Sequence, residues 1–121
     1  MKEYINNYPF LENFIWTPNY SNGVYAIGEC PLGWTNMIFK MCEEIKNILV
    51  ENNLLNNYEV YEIKEKYGTL CWYDNTDITS DIVNKYMTLF SHICFVCGSE
   101  NAKLDKSSYI NLCDNCYRKY K

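Results

Sequence analysis

The sequence predicts an α+β fold with a small antiparallel sheet, two main helices and a C-terminal module that contains four cysteines. Three patterns support this prediction. Residues 37–49 and 78–93 repeat apolar side chains at the three- and four-residue spacing of amphipathic helices. Residues 58–73, between them, alternate apolar and polar side chains as half-buried strands do. Two Cys-x2-Cys pairs follow near the C-terminus.

The N-terminal residues 1–22 are rich in asparagine and tyrosine, and two interpretations of residues 10–16 remain open. These residues form either a short amphipathic turn or helix on the core, or an irregular arm anchored by aromatic side chains. Residues 24–28 predict a short strand, because they follow an Asn-Gly turn. Residues 29–34 then provide a tight connection to the first main helix.

The two helices have candidate N-caps and apolar stripes that we assign to the core. Thr35 or Asn36 is expected to cap the first helix, and Asp77 or Thr79 the second. The first stripe comprises Met37, Ile38, Met41, Cys42, Ile45, Ile48 and Leu49. The second comprises Ile78, Ile82, Tyr86, Leu89, Phe90 and Ile93.

Residues 58–73 predict a β-hairpin or two adjacent strands, with Gly68 as the turn or bulge residue between them. Period-two alternation divides its side chains between two faces. The apolar positions of this alternation are Tyr61, Ile63, Leu70 and Trp72. The hairpin is therefore expected to place these residues on the core face.

The four C-terminal cysteines carry the clearest chemical signal. They form two Cys-x2-Cys knuckles separated by fifteen residues, a spacing recurrent in zinc ribbons. The predicted ligands of one Zn²⁺ are Cys94, Cys97, Cys113 and Cys116. Four thiolates leave no open coordination position, so this zinc is expected to be structural. Four unrelated cysteines or two disulfides are the alternative; Cys30, Cys42 and Cys71 are expected to remain thiols.

The chain is expected to divide into an α+β body, residues 1–92, and a zinc ribbon, residues 93–121. No Gly/Pro/Ser linker separates the second helix from Cys94, so the ribbon should dock on the body. Within the ribbon, residues 106–108 predict a hairpin tip, and Asp114 can cap a final helical turn.

Charge and composition limit the function classes. Residues 1–90 carry six lysines and twelve acidic residues, a net charge of −6, and residues 91–121 a net charge of +2. Zinc thiolate would neutralise the latter, so no basic nucleic-acid footprint remains. The sequence shows neither a membrane-length apolar run nor the apolar segment of a signal peptide. Seven cysteines without a secretion signal predict a reducing cytoplasm.

One combination of motifs resembles small, largely uncharacterised proteins of phages and prophages. It consists of Gly28-Glu29-Cys30 with Gly33-Trp34, then Lys64-Glu65-Lys66-Tyr67-Gly68-Thr69-Leu70 with Trp72-Tyr73, then the two knuckles. Cys71 stands where such proteins have arginine, and Cys116 where they often have histidine. The resemblance implies a phage setting, in which small non-enzymatic proteins often inhibit host systems, anti-CRISPR and other anti-defence proteins among them.

We therefore favour a non-enzymatic interaction protein that binds and inhibits a host protein, such as a nucleic-acid-binding defence effector. The acidic body and the many tyrosines and tryptophans suit this class. The candidate binding surface comprises Lys64, Lys66, Tyr67, Trp72 and Tyr73, although core packing is the expected fate of Trp72.

Two alternatives remain. A nucleic-acid-binding zinc ribbon would use the basic and aromatic residues Lys103, Lys106, Tyr109, Tyr117, Arg118, Lys119, Tyr120 and Lys121. A metal-dependent nuclease would use Glu62 and Lys64, which form the Glu-x-Lys triplet of such sites. No upstream acidic partner is assignable, and His92 has no catalytic partner spacing, so we expect binding rather than catalysis.

Overall fold

Residues 6–16 and 26–120 are described by the computed structural model. The strands and helices in chain order are β1 (Ile15–Trp16), β2 (Ala26–Ile27), α1 (Thr35–Glu51), β3 (Val60–Lys66), β4 (Thr69–Asp74), α2 (Ser80–Phe90), β5 (Lys103–Asp105), β6 (Ile110–Leu112) and α3 (Asp114–Tyr120). Antiparallel pairing joins β1 with β2, β3 with β4, and β5 with β6. The predicted α+β class, with its two main helices, is confirmed.

The N-terminal segment contains a 3₁₀ turn, Pro9–Phe14, and this turn decides between the two interpretations of residues 10–16. Leu11 is fully buried in the turn, and the hydroxyl of Tyr8 donates a 2.6 Å hydrogen bond to Glu43 on α1. The segment is therefore a short amphipathic turn packed on the core. The predicted strand at residues 24–28 is present as β2, while residues 24 and 25 lie outside the described residues.

Both main helices form where the apolar periodicity places them, but neither has a side-chain capping hydrogen bond at its N-terminus. A 3₁₀ turn, Leu32–Trp34, leads directly into α1, so Thr35 is already helical and its hydroxyl donates to the Leu32 carbonyl. Its predicted role as an N-cap is therefore wrong. Thr79 occupies the N-cap position of α2, as predicted, but its hydroxyl donates to Asp74 at 2.5 Å and accepts no hydrogen bond from a helix N–H.

The buried faces of α1 and α2 pack against each other and against the inner face of the β3–β4 hairpin. The buried residues of these helices are Ile38, Met41, Cys42, Ile45, Leu49, Val83, Tyr86 and Phe90. Leu89, which the periodicity assigned to the core, is 39% exposed. The core face of α2 is therefore narrower than its apolar stripe.

The predicted hairpin is confirmed, with Tyr67 and Gly68 as its two-residue turn at φ values of 52° and 84°. Leu70 is fully buried, as the alternation predicts. Tyr61 is 62% exposed, however, so its predicted place on the core face is wrong. The pairing register shifts between Val60 and Glu62, and this bulge turns the intervening side chain outward.

The C-terminal segment has the predicted hairpin, in which β5 and β6 flank residues 106–108, and α3 begins at Asp114. Its backbone contacts the body directly, since the N–H of Gly33 donates to the carbonyl of Phe95 at 2.9 Å. The division of the chain at residues 92 and 93 stays a prediction. Within the described ranges, no helix has both the length and the apolar character needed to cross a membrane.

Candidate metal centre

Four cysteine sulfurs converge beside the β5–β6 hairpin. The Sγ atoms of Cys94, Cys97, Cys113 and Cys116 all lie within 4.8 Å of one another. In a tetrahedral site with Zn–S bonds of about 2.3 Å, neighbouring sulfurs lie about 3.8 Å apart. The 3.6 Å separation of the Cys97 and Cys113 sulfurs is close to this value, and it is far longer than a disulfide bond. The cluster is therefore positioned to bind one metal ion.

Each knuckle directs backbone N–H groups at its own first sulfur. The N–H of Val96 lies 3.4 Å from the Cys94 sulfur, and the N–H of Cys116 lies 3.5 Å from the Cys113 sulfur. Such donors stabilise a thiolate over a thiol, which is the form that ligates a metal. The spacing of the cysteines predicted the two knuckles. The backbone N–H donors to their sulfurs became apparent only in the structure.

The two sulfurs of the second knuckle differ in acidity. The hydrogen bond from the Cys116 N–H, with smaller contributions from neighbouring side chains, lowers the pKa of Cys113 to about 6. Burial, followed by hydrogen bonding to the other sulfurs, raises the pKa of Cys116 to about 12. A bound dication would deprotonate both, because a coordinated thiol loses its proton. The Cys113 and Cys116 thiols are therefore suited to binding a cation. Without a cation, ionising both of them at once would cost free energy.

The first knuckle rests on the backbone of the Leu32–Trp34 turn. A Cβ atom added to Gly33 would lie 2.3 Å from the carbonyl oxygen of Cys94. A Cβ atom added to Gly98, which has φ of 79°, would lie 2.6 Å from the carbonyl oxygen of Gly33. Both contacts require glycine, because any larger residue would separate the two backbones. Sequence analysis did not assign Gly33 to this contact.

Trp34 and Asn111 also join the cysteine module to the body. The fully buried Trp34 donates its indole N–H to the carbonyl of Ile93 at 3.1 Å. The amide nitrogen of Asn111, 1% exposed, donates to the carbonyls of Gly68 at 2.7 Å and Phe90 at 3.2 Å. Sequence analysis missed Asn111. Its only local signal is a polar residue between two apolar residues in a short strand.

The predicted binding surface is only partly accessible. Tyr67 is 64% exposed and Tyr73 56% exposed, while Lys66 is also exposed. Lys64 forms a 2.6 Å ion pair with Glu62. Trp72 is only 5% exposed, and its indole N–H donates to the hydroxyl of Tyr58 at 2.9 Å. Trp72 therefore belongs to the core, as its expected packing implied, and is removed from the candidate binding surface.

The Glu-x-Lys triplet lies on the outer face of the hairpin. Glu62 and Lys64 pair with each other, and hydrogen bonding to Glu62 raises the pKa of the Lys64 ammonium. Among the residues that the structure describes, only the four cysteines form a metal-competent group of histidine, cysteine or acidic side chains. The nuclease alternative thus gains no carboxylate metal site in this part of the chain.

The three other cysteines lie away from the cluster. Cys30 and Cys42 are buried, and burial raises the pKa of Cys30 to about 12 and that of Cys42 well above its usual value. Cys71 is half-buried on β4. The two buried thiols are therefore packing groups that remain protonated near neutral pH.

The fold and the site define an α+β protein with a C-terminal four-cysteine cluster positioned for metal binding. Comparison with protein families, curated proteins and solved structures gives no match to this chain. The resemblance to phage and prophage proteins stays a prediction based on the quoted motifs.

Proposed function

We propose that this chain is a non-enzymatic, zinc-containing interaction protein of a phage or other mobile element. Its partner is a protein of the bacterial host cytoplasm, which it inhibits. A nucleic-acid-binding defence effector, including a CRISPR effector, is the partner class that we favour. The phage setting derives from the motif resemblance and is therefore an argument by association.

The choice of zinc follows from the chemistry and size of the cluster. Thiolate ligands favour zinc, copper(I) and iron–sulfur clusters. Sulfurs within 4.8 Å of one another surround the volume of one ion rather than of a multi-metal cluster. Tetrahedral coordination by four cysteines is typical of structural zinc sites. Since all four positions belong to the protein, the ion stabilises the fold and supplies no catalytic water.

The observation that carries the interaction role is the set of exposed tyrosines on the hairpins and the last helix. Their exposed fractions are 62% for Tyr61, 64% for Tyr67, 56% for Tyr73, 53% for Tyr109 and 45% for Tyr117. Tyrosine is enriched in protein interfaces, where its large, rigid side chain gains contact area at little entropic cost. The net charge of −6 on residues 1–90 would accelerate association with a basic partner.

A pull-down tests this proposal. The tagged, zinc-loaded chain is incubated with nuclease-treated bacterial lysate, and bound proteins are identified by mass spectrometry. We expect one host protein in near-stoichiometric amount, whose activity falls when the purified chain is added. The Tyr61→Ser, Tyr73→Ser double variant should lose most of this protein, because two exposed interface rings are removed.

Glu51→Gln is the matched control, since Glu51 is exposed on α1 and distant in sequence from the hairpin. Capture of no protein by the parent chain would contradict the proposal. Recovery of nucleic acid alone from untreated lysate would favour the nucleic-acid alternative. If the double variant captures as much host protein as the parent chain, the chain binds a protein, but Tyr61 and Tyr73 are not part of the interface.

A further inference from the structure

Two exposed aromatic side chains from distant parts of the chain meet at the junction of the hairpins. Tyr67 lies in the β3–β4 turn, and Tyr109 closes the turn between β5 and β6. Their ring centroids are 5.3 Å apart, with an interplanar angle of 64°. The rings nevertheless remain 64% and 53% exposed. The pair therefore presents aromatic surface to solvent instead of completing a core.

Both tyrosines also have an unfavourable backbone conformation. The φ values are 52° for Tyr67 and 58° for Tyr109, in the left-handed region that glycine and asparagine tolerate best. A bulky residue there costs free energy, and burial of these exposed rings does not offset it. Two such positions meet at one surface, which indicates that the rings serve binding rather than folding.

Two lysines belong to the turns that carry the pair. The Nζ atom of Lys66 lies 5.9 Å from the centre of the Tyr67 ring. Lys106 belongs to the same turn as Tyr109. In the described ranges, neither of these two lysines forms an ion pair with a carboxylate.

The two acidic residues of these turns direct their oxygens to groups within their own turns. Glu65 accepts a 2.8 Å hydrogen bond from the N–H of Gly68. Asp105 accepts hydrogen bonds from the hydroxyls of Ser107 at 3.1 Å and Ser108 at 2.7 Å. The lysines thus remain available for an anionic ligand.

We propose that Tyr67 and Tyr109 form a stacking platform for single-stranded nucleic acid, with Lys66 and Lys106 contacting its phosphates. Aromatic rings beside basic side chains are typical of single-strand binding that tolerates any sequence. A protein partner fits this patch less well, because lysine and serine are depleted in protein interfaces. This activity goes beyond the protein-binding role proposed above. Its test mutates Tyr67 and Tyr109, whereas the test of the protein-binding role mutates Tyr61 and Tyr73.

The composition of the site limits its strength. Two rings engage only a few nucleotides, and the chain has a net charge of −4, which opposes binding of a polyanion. We therefore expect a short site whose affinity falls as the salt concentration rises. Two neutralised phosphates predict a slope of about −1.4 when the logarithm of the association constant is plotted against that of salt concentration.

Fluorescence anisotropy with labelled oligo-dT and oligo-rU tests the proposal on the full, zinc-loaded chain. Both single strands should bind, and the matching duplex should bind more weakly. Tyr67→Ala and Tyr109→Ala should each weaken binding by about 5-fold or more, the loss expected for one stacked base. Val50→Ala, which shortens an exposed apolar side chain on α1 outside the patch, should leave the affinity unchanged.

Tyr67→Asn separates binding from folding. Asparagine followed by glycine is the preferred sequence of a two-residue hairpin turn with positive φ at both residues. This variant should therefore match or exceed the parent chain in resistance to urea while losing affinity for the oligonucleotides. Unchanged affinity in this variant would overturn the proposal. So would absent binding by the parent chain, equal binding of duplex, or an equal loss in Val50→Ala.

One further result would assign the patch to a protein. If the parent chain binds no oligonucleotide, while capture of a host protein depends on Tyr67 and Tyr109, the nucleic-acid proposal fails and the interaction proposal stands. If the parent chain binds oligonucleotides but captures no host protein, the interaction proposal fails and the nucleic-acid proposal stands.

Discussion

The body and the cysteine module are stabilised by different means. The body buries a continuous apolar cluster that includes the fully buried residues Trp34, Ile45, Leu70 and Phe90. The buried cluster of the cysteine module consists of Cys94, Ala102, Leu112, Cys113 and Cys116. Three of these five residues are candidate metal ligands. A segment of this size buries little apolar surface of its own, so we expect a bound metal to provide much of its stability.

Removal of the metal is the most severe test of this difference. The Cys97→Ser, Cys113→Ser double variant should contain no zinc, and residues 94–120 should lose hydrogen-exchange protection while α1 keeps it. The expected effect is large, because structural zinc contributes about 10–16 kcal/mol in small zinc-dependent modules. Elemental analysis and hydrogen exchange measured by mass spectrometry report the two changes separately.

Cys71→Ser is the matched control for this experiment, since its half-buried thiol lies outside the cluster. It should retain one zinc per chain. Full metal retention in the double variant would disprove the four-thiolate site, and equal loss of protection in α1 would show that the two regions fold as one unit.

A matched pair of leucine substitutions gives the next largest effect. Leu70 is fully buried in the body, and Leu112 is 6% exposed in the cysteine module. Leu70→Ala should lower the free energy of unfolding by about 2–5 kcal/mol, the usual cost of a cavity in an apolar core. In the zinc-loaded chain, Leu112→Ala should cost less, because Leu112 packs in a cluster of five buried residues and loses fewer apolar contacts. Urea unfolding monitored by circular dichroism measures both, and equal losses would contradict the comparison.

The elements of both regions were predictable from local patterns. Helix periodicity located α1 and α2, and alternation with Gly68 located the β3–β4 hairpin. The spacing of the knuckles identified the cysteine cluster, because two residues between cysteines direct both sulfurs to one point. Each of these signals lies within a few residues of the feature that it predicts.

The failures share a physical cause, which is competition from contacts that no local pattern encodes. Tyr61 faces solvent because a bulge interrupts the alternation on which its assignment depended. Thr79 was assigned to a helix cap, but its hydroxyl bonds to Asp74 on the neighbouring strand. Gly33 and Asn111 were not assigned to the junction, because their partners lie 21 residues or more away in the chain.

Asn111 allows the connection between the regions to be tested. Asn111→Ala removes the two donors that bond to the carbonyls of Gly68 and Phe90, both in the body. Buried carbonyls without donors cost about 1–3 kcal/mol, so this variant should unfold at a lower urea concentration while retaining its zinc. Asn115→Ala is the control, because Asn115 is exposed and accepts only a surface hydrogen bond from Arg118. Loss of zinc from Asn111→Ala would show that the body contributes to forming the metal site.

The smallest expected effect lies wholly within the body. Glu44 on α1 accepts hydrogen bonds from Lys85 and from the hydroxyl of Tyr86 on α2, and these bonds lower the pKa of the Glu44 carboxyl. A carboxyl with a depressed pKa stabilises the folded state above its unfolded pKa of about 4.3 and loses this contribution as the pH falls through its folded value. Glu44→Gln should therefore cost about 0.5 kcal/mol at pH 7, as expected for a solvent-screened pair. The stability difference from the parent chain should vanish below about pH 3, where both side chains are neutral. Zinc content should not change at pH 7, and a variant that lost zinc there would show that the helix pair also maintains the cysteine module.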